Sequence, residues 1–206
     1  MKFEEESELR FKKSMILTTV AGVLGGCAFG ASQVQLNYEL EPTDITQYRS
    51  KSTATLQIVQ LKDGRGVEDP NVIVHKKNGY GQTTSGTYVA EKPIAEVVTS
   101  AVVEALDQLN YKVSTEGRFK LSGRINSVDR KDFPGLLDDS IQFSLDVSLQ
   151  ITTRGGDPVW SENFIGNGKV ISSMAGGDVI REEFDDTLTR VVRQLQNSPT
   201  LYKALN

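Results

Sequence analysis

The chain has one cysteine, Cys27, and one histidine, His75, among 206 residues. One thiol excludes an intrachain disulfide and a cysteine-based metal site. One imidazole excludes a multi-histidine metal cluster. Long apolar runs are missing too. The longest, residues 15–26, has about twelve residues, against the roughly 20 that a helix needs to cross a bilayer. Basic charge is scarce: the formal net charge is -4 and there is no long basic run, which argues against nucleic acid as a partner. Ser172 and Ser173 have no histidine near them in sequence, so a serine hydrolase would need the fold to bring His75 to them. Gly79-Tyr80-Gly81 lacks the lysine and the spacing of a phosphate-binding loop. These absences lead to the expectation of a non-enzyme without a cofactor or a resident metal.

What is present begins with KKSMILTTVAGVLGGC, residues 12–27. Basic residues, a short apolar core and then small residues form the layout of a secretory signal peptide. Arg10-Phe11-Lys12-Lys13 sits directly before the apolar run, where charge orients insertion. Leu24-Gly25-Gly26-Cys27 resembles the lipobox of bacterial lipoproteins. The resemblance implies a thioether-linked diacylglycerol on Cys27, cleavage between Gly26 and Cys27, and acylation of the new amino group. Two or more acyl chains give stable anchoring. Ala28 follows. An Asp there would imply inner-membrane retention, so Ala28 implies an outer-membrane address. Residues 1–26 are thus expected to be removed, and 27–52 to form a lipidated tether with one strand in the alternating stretch Val34 to Leu40.

Residues 53–206 read as a single α+β domain. Thr55 to Leu61 is a strand rich in β-branched residues, and Asp63-Gly64-Arg65-Gly66 is a turn. Val72 to Val74 is a second strand, and residues 79–86 a polar loop. Ile94, Val97, Val98, Ala101, Val102, Ala105, Leu106 and Leu109 form one wide apolar helical stripe after Pro93; Val103 lies off it. Leu121, Gly123 and Ile125 alternate with polar residues. From Ile141 to Thr152 the alternation is complete, as in a sheet with one covered and one wet face. Arg154 to Asp157 is a hairpin turn, and Val159 to Ile165 the return strand. A second helix spans about Asp178 to Gln196, with acids toward its start and Arg190 and Arg193 toward its end, as the helix dipole favours. That explanation also accounts for Glu182, Glu183, Asp185 and Asp186 without a cation. The simplest packing has two layers, a largely antiparallel sheet with both helices on one face.

The order of several of these features resembles the YajG-type family of bacterial lipoproteins. The features are the strand into Asp63-Gly64-Arg65, the stretch VIVHKKNGYG, the helix IAEVVTSAVVEALDQLNYKV, Leu121-Ser122-Gly123-Arg124-Ile125, and Val159-Trp160 before Gly166 and Gly168. The resemblance implies a fold akin to the N-terminal domain of TolB and to auxiliary lipoproteins of lipid-transport ABC systems, without enzymatic activity. The leading expectation is an outer-membrane lipoprotein that faces the periplasm and binds or scaffolds envelope proteins, itself among them. The alternative is an auxiliary subunit of a lipid-handling ABC-type system, and an envelope hydrolase ranks third. Candidate partner or ligand contacts are Asp63, Arg65 and Tyr80; the competing reading pairs Asp63 with Arg65 locally across Gly64.

Overall fold

A computed structural model describes residues 29–42, 47–78, 80–133, 140–171 and 176–206. The strands are β1 (Ala31–Val34), β2 (Thr55–Ile58), β3 (Lys62–Asp63), β4 (Val72–Lys77), β5 (Thr83–Ala90), β6 (Lys112–Val113), β7 (Phe119–Phe133), β8 (Ser140–Thr153) and β9 (Pro158–Ile171). The helices are α1 (Ile94–Gln108), α2 (Gly177–Gln196) and α3 (Pro199–Leu205). The class is α+β, with a helical layer over one face of the main sheet.

That sheet has six strands in the order β6-β2-β7-β8-β9, with β3 also paired to β7. Its backbone is the antiparallel ribbon β7-β8-β9. β2 and β3 join β7 in parallel, and β2 reaches β6 after a crossover through α1, as parallel strands require. A smaller sheet has the order β1-β5-β4.

The periodicities explain the layers. Ile141, Phe143, Leu145, Val147, Leu149 and Ile151 of β8 are all buried, and the residues between them form the open face. The α1 stripe from Ile94 to Leu109 is buried throughout. Each buried Val, Leu, Ile or Phe among them contributes roughly 1.5–3 kcal/mol by leaving water. Asn110, at φ 62°, ends α1 in the left-handed conformation. In α2, Ile180, Phe184, Leu188, Val191 and Leu195 face the same core. A bulge between Ile125 and Ser127 changes which residues of β7 face inward, from Leu121 and Ile125 to Val128.

Two expectations need correction. Residues 31–40 are not a tether. β1 pairs with β5, and Val34 and Leu40 are buried in the core. The alternating stretch after Val34 is held by helix side chains rather than by a ladder. The Leu40 amide donates to the Glu104 carboxylate at 3.2 Å, and the Gln108 amide donates to the Leu40 carbonyl at 3.0 Å. Arg193 donates to the Glu41 carbonyl at 2.6 Å. A period of two is satisfied equally by an extended segment lying beside helices. Second, residues 83–86 are not loop: they open β5, which returns from β4 through a turn at Asn78 to Gln82.

Candidate functional site

Cys27 and Gly26, the expected sites of lipid attachment and cleavage, lie outside the described residues. The described chain starts at Phe29, two residues before β1.

Asp63 and Arg65 meet each other. The Arg65 side chain is only 4% exposed. Its Nε donates to Asp63 Oδ1 at 2.9 Å and its Nη2 to Asp63 Oδ2 at 2.6 Å. Nη2 also donates to the Pro70 carbonyl at 3.2 Å, and Nη1 reaches the Val72 carbonyl. The guanidinium ties β3 of the large sheet to β4 of the small one. Its hydrogen bonds hold the Asp63 carboxyl below the ordinary carboxylate range. Gly64 is required between them. A Cβ there would lie 2.7 Å from the Ile125 carbonyl oxygen, which is backbone of β7, and would also displace the Arg124 guanidinium, whose Nη2 donates to the Gly64 carbonyl at 3.0 Å. The local reading of this pair accounts for its geometry, and a partner contact through Arg65 does not fit its burial. Arg130 and Asp132 repeat the arrangement in β7, with Nη2 to Oδ2 at 2.7 Å and Arg130 5% exposed. Nothing in the sequence order separates these two pairs from surface charge.

Tyr80 is 91% exposed. Asn78 builds the turn beneath it: its side-chain oxygen accepts from the Tyr80 and Gln82 amides, both at 3.0 Å. Gly81 supplies φ 74°. His75 is also exposed, on β4. Among the described residues no group of His, Cys, Asp and Glu is arranged to hold a metal ion, and no helix is long and apolar enough to cross a membrane.

The open face of the ribbon carries a groove of about 360 Å³ between β3 and β8. Lys62, Lys120 and Arg124 line it with Ser122, Ser148 and Gln150, and no carboxylate does. Such a surface favours an anionic or polar partner. A wider groove runs along the outer side of α1, about 550 Å³, lined by Val103 and Val113 with Glu96, Glu104 and Asp107. Val103, the residue that breaks the α1 stripe, belongs to this second surface.

The acids of α2 divide by burial. Glu182 is exposed, whereas Glu183 is 6% exposed and its Oε2 finds no donor. Burial, reinforced by the charge of Asp186, raises the Glu183 carboxyl above the ordinary range. Burial pushes Asp185 up to about 6, with Arg181 opposing. Gly168 makes room for this strip. A Cβ there would lie 2.7 Å from Thr187 Oγ1 and 2.9 Å from Glu183 Oε2.

No family model and no curated protein matches the sequence. Solved structures do resemble it. Protein XCC0632 from Xanthomonas campestris, of the DUF330 family, superposes with a TM-score of 0.60 at 15% identity, covering 84% of this chain and 96% of its own. A minor lipoprotein from Acinetobacter baumannii gives 0.47 at 10% identity over 76% of this chain and 95% of its own. Lipoprotein GNA1162 from Neisseria meningitidis gives 0.36 at 11% identity over 70% and 99%. The likeness to the Xanthomonas protein is one of fold.

Proposed function

We propose that this chain is a non-catalytic bacterial lipoprotein of YajG type. It is anchored in the outer membrane through Cys27, faces the periplasm, and binds or scaffolds envelope proteins. The observation that carries the reading is Leu24-Gly25-Gly26-Cys27, placed after a basic patch and a short apolar run. The fold shared with the Xanthomonas protein supports it as architecture. The basic groove of Lys62, Lys120 and Arg124 is the surface offered to a polar partner, and the edge of β9 is the surface for strand pairing, self-association included. The test is mass spectrometry of the N-terminal peptide from membrane-purified protein. The expected product begins at acylated Cys27, and Cys27→Ser leaves an uncleaved, unacylated chain. An unmodified Met1 terminus in the wild type would remove the reading.

The narrower alternative is an auxiliary subunit of a lipid-handling ABC-type system. Its specific support is the apolar pair Val103 and Val113 in the groove beside α1, since Val113 is 43% exposed. Cross-linked recovery of a permease with wild type but not with Val103→Glu would favour it. Recovery of cell-wall proteins or self alone would favour the scaffold.

A further inference from the structure

Four of the six exposed large apolar residues among the described ones, Phe29, Tyr80, Phe133 and Ile171, lie at one end of the molecule. The topology places them there. Phe133 and Ile171 flank Ser140 across β7, β8 and β9, in the last rung of the ribbon. Asp63 pairs with Ile125, and its partner Arg65 bonds the Val72 carbonyl. Five residues further along β7, the Arg130 guanidinium lies 5.9 Å from the centre of the Tyr88 ring, and Tyr88 pairs with Val74. β4 and β7 therefore advance in the same direction, and the Tyr80 turn that ends β4 points to the same end as Phe133. β1 runs parallel to β5 with Ala31 opposite Thr87. The N-terminal end of β1 is therefore the end nearer that turn, and Phe29 precedes it.

Cys27 stands four residues before Ala31. Four residues of extended chain reach at most about 14 Å. The ribbon, with 14 residues in β8, is about 45 Å long. A lipid on Cys27 therefore holds this end against the bilayer, and the Gly155-Gly156 turn far from it. Two rungs behind Phe133 and Ile171, and so on the same face of the ribbon, Lys131 and Lys169 stand on either side of Gln142, both exposed. Asp178, the acid that opens α2, has Arg181 at 3.8 Å. An apolar tip backed by lysines matches the interfacial layer of a membrane with anionic headgroups.

We infer that the end bearing Phe29, Tyr80, Phe133 and Ile171 is a membrane-contacting face. Its apolar side chains enter the headgroup boundary beside the anchor, and Lys131 and Lys169 sit over anionic lipid. The inference rests on lipidation of Cys27. It fixes the domain's orientation, with the α3 side and the Gly155-Gly156 turn directed away from the bilayer.

The test uses the full lipidated chain in vesicles of phosphatidylethanolamine and phosphatidylglycerol. Lipid occupies Cys27, so Phe133→Cys, Ile171→Cys and Gly155→Cys each supply a single free thiol for an environment-sensitive fluorophore. A Cβ at Gly155 meets only ordinary contacts at 3.6 Å, so that site is a tolerant control. The expected result is blue-shifted emission and several-fold stronger quenching by spin-labelled lipid at positions 133 and 171 than at 155. Lys131→Glu with Lys169→Glu is expected to reduce that quenching. Equal quenching at all three positions, with Cys27 shown by mass to be acylated, would overturn the orientation and leave the anchor standing. An unacylated Cys27 would overturn the anchor reading itself.

Discussion

The two long helices cover the same sheet by different chemistry. α1 buries only Ile, Ala, Val and Leu, and its stripe is read from spacing alone. α2 buries Glu183, Thr187 and Gln196 alongside Phe184 and Leu188. The difference begins in the strand beneath. β9 presents Gly166 and Gly168 where β8 presents Leu145 and Phe143 in the paired positions. Without side chains in β9 the helix backbone comes close, and the polar atoms of α2 fill the space between. Thr187 and Glu183 are buried because the glycines admit them. The α1 interface is set by apolar volume, the α2 interface by close approach and by the polar side chains that it buries.

The largest effect is expected at Gly166. A Cβ there would lie 2.1 Å from the Thr187 carbonyl oxygen and 3.0 Å from Val191 Cγ2. The first obstacle is helix backbone, which cannot rotate away. Gly166→Ala is expected to destabilise the fold by about 3 kcal/mol or more, measured as a lower urea midpoint. Gly156→Ala is the control: φ is 95° there, but no neighbour lies within 4 Å, so only local strain of about 1–2 kcal/mol applies. Equal losses at both positions would show that close approach does not set the α2 interface.

Much of this architecture was legible in the sequence, and the misses have physical causes. The alternation from Ile141 to Ile151 and the spacing from Ile94 to Leu109 are each dictated by one burial direction, and both elements stand where those periods place them. Val34 to Leu40 shows the right period, but periodicity does not say whether a strand or a pair of helix flanks will satisfy the backbone. β5 is hidden because Thr83, Thr84, Ser85 and Gly86 carry little apolar signal; its pairing is set by the turn at Asn78 and by Tyr88 and Ala90 further on. α3 has a readable start, Ser198 accepting from the Leu201 amide at 3.1 Å and Pro199 in the first turn, but seven residues are too few to show a period. At the candidate site, the burial of Arg65 and Arg130 depends on the meeting of two sheets, which no local pattern encodes. Tyr80 could be assigned to an exposed turn because Asn78, Gly79 and Gly81 surround it.

The second effect sharpens the same contrast through pH. Asp185 has a folded-state pKa of about 6, raised from 3.8 mainly by burial. The folded state therefore binds this proton more tightly than the unfolded chain does. Protonation favours folding below the ordinary carboxylate range, and the advantage is lost as pH rises from about 4 to about 6. Glu183, also raised, acts in the same direction. Asp63, lowered by Arg65, acts oppositely: its contribution is present above its ordinary value and lost as pH falls through its lowered one. Stability is thus expected to peak near pH 4, around the ordinary aspartate value, and to fall toward pH 7 by about 1–2 kcal/mol, after discounting for the solvent that reaches Asp185. Asp185→Asn should flatten that slope. Denaturant titrations at several pH values measure it, and a slope unchanged in the variant would assign the dependence elsewhere.

The smallest effect compares one surface ion pair on each helix. On α2, Asp186 precedes Arg190 by four residues, with Oδ2 to Nε at 2.9 Å. Acid before base is the favoured order along a helix. At the start of α1 the order is reversed, Lys92 before Glu96, with the charged atoms 3.6 Å apart and the side chains 66% and 48% exposed. There Glu96 suits the positive end of the helix dipole and Lys92 opposes it. Lys92→Ala is therefore expected to change stability by no more than about 0.3 kcal/mol. Arg190→Ala should cost about 0.5 kcal/mol for the pair, and more at neutral pH than at pH 5. Removing Arg190 also removes a positive charge that opposes the raised pKa of Glu183, leaving that buried acid with the negative charges of Asp186 and Glu182. A pH-dependent loss in Arg190→Ala, absent in Lys92→Ala, would mean that even the exposed side of α2 is coupled to its buried acids, whereas the exposed side of α1 is coupled to nothing beneath it.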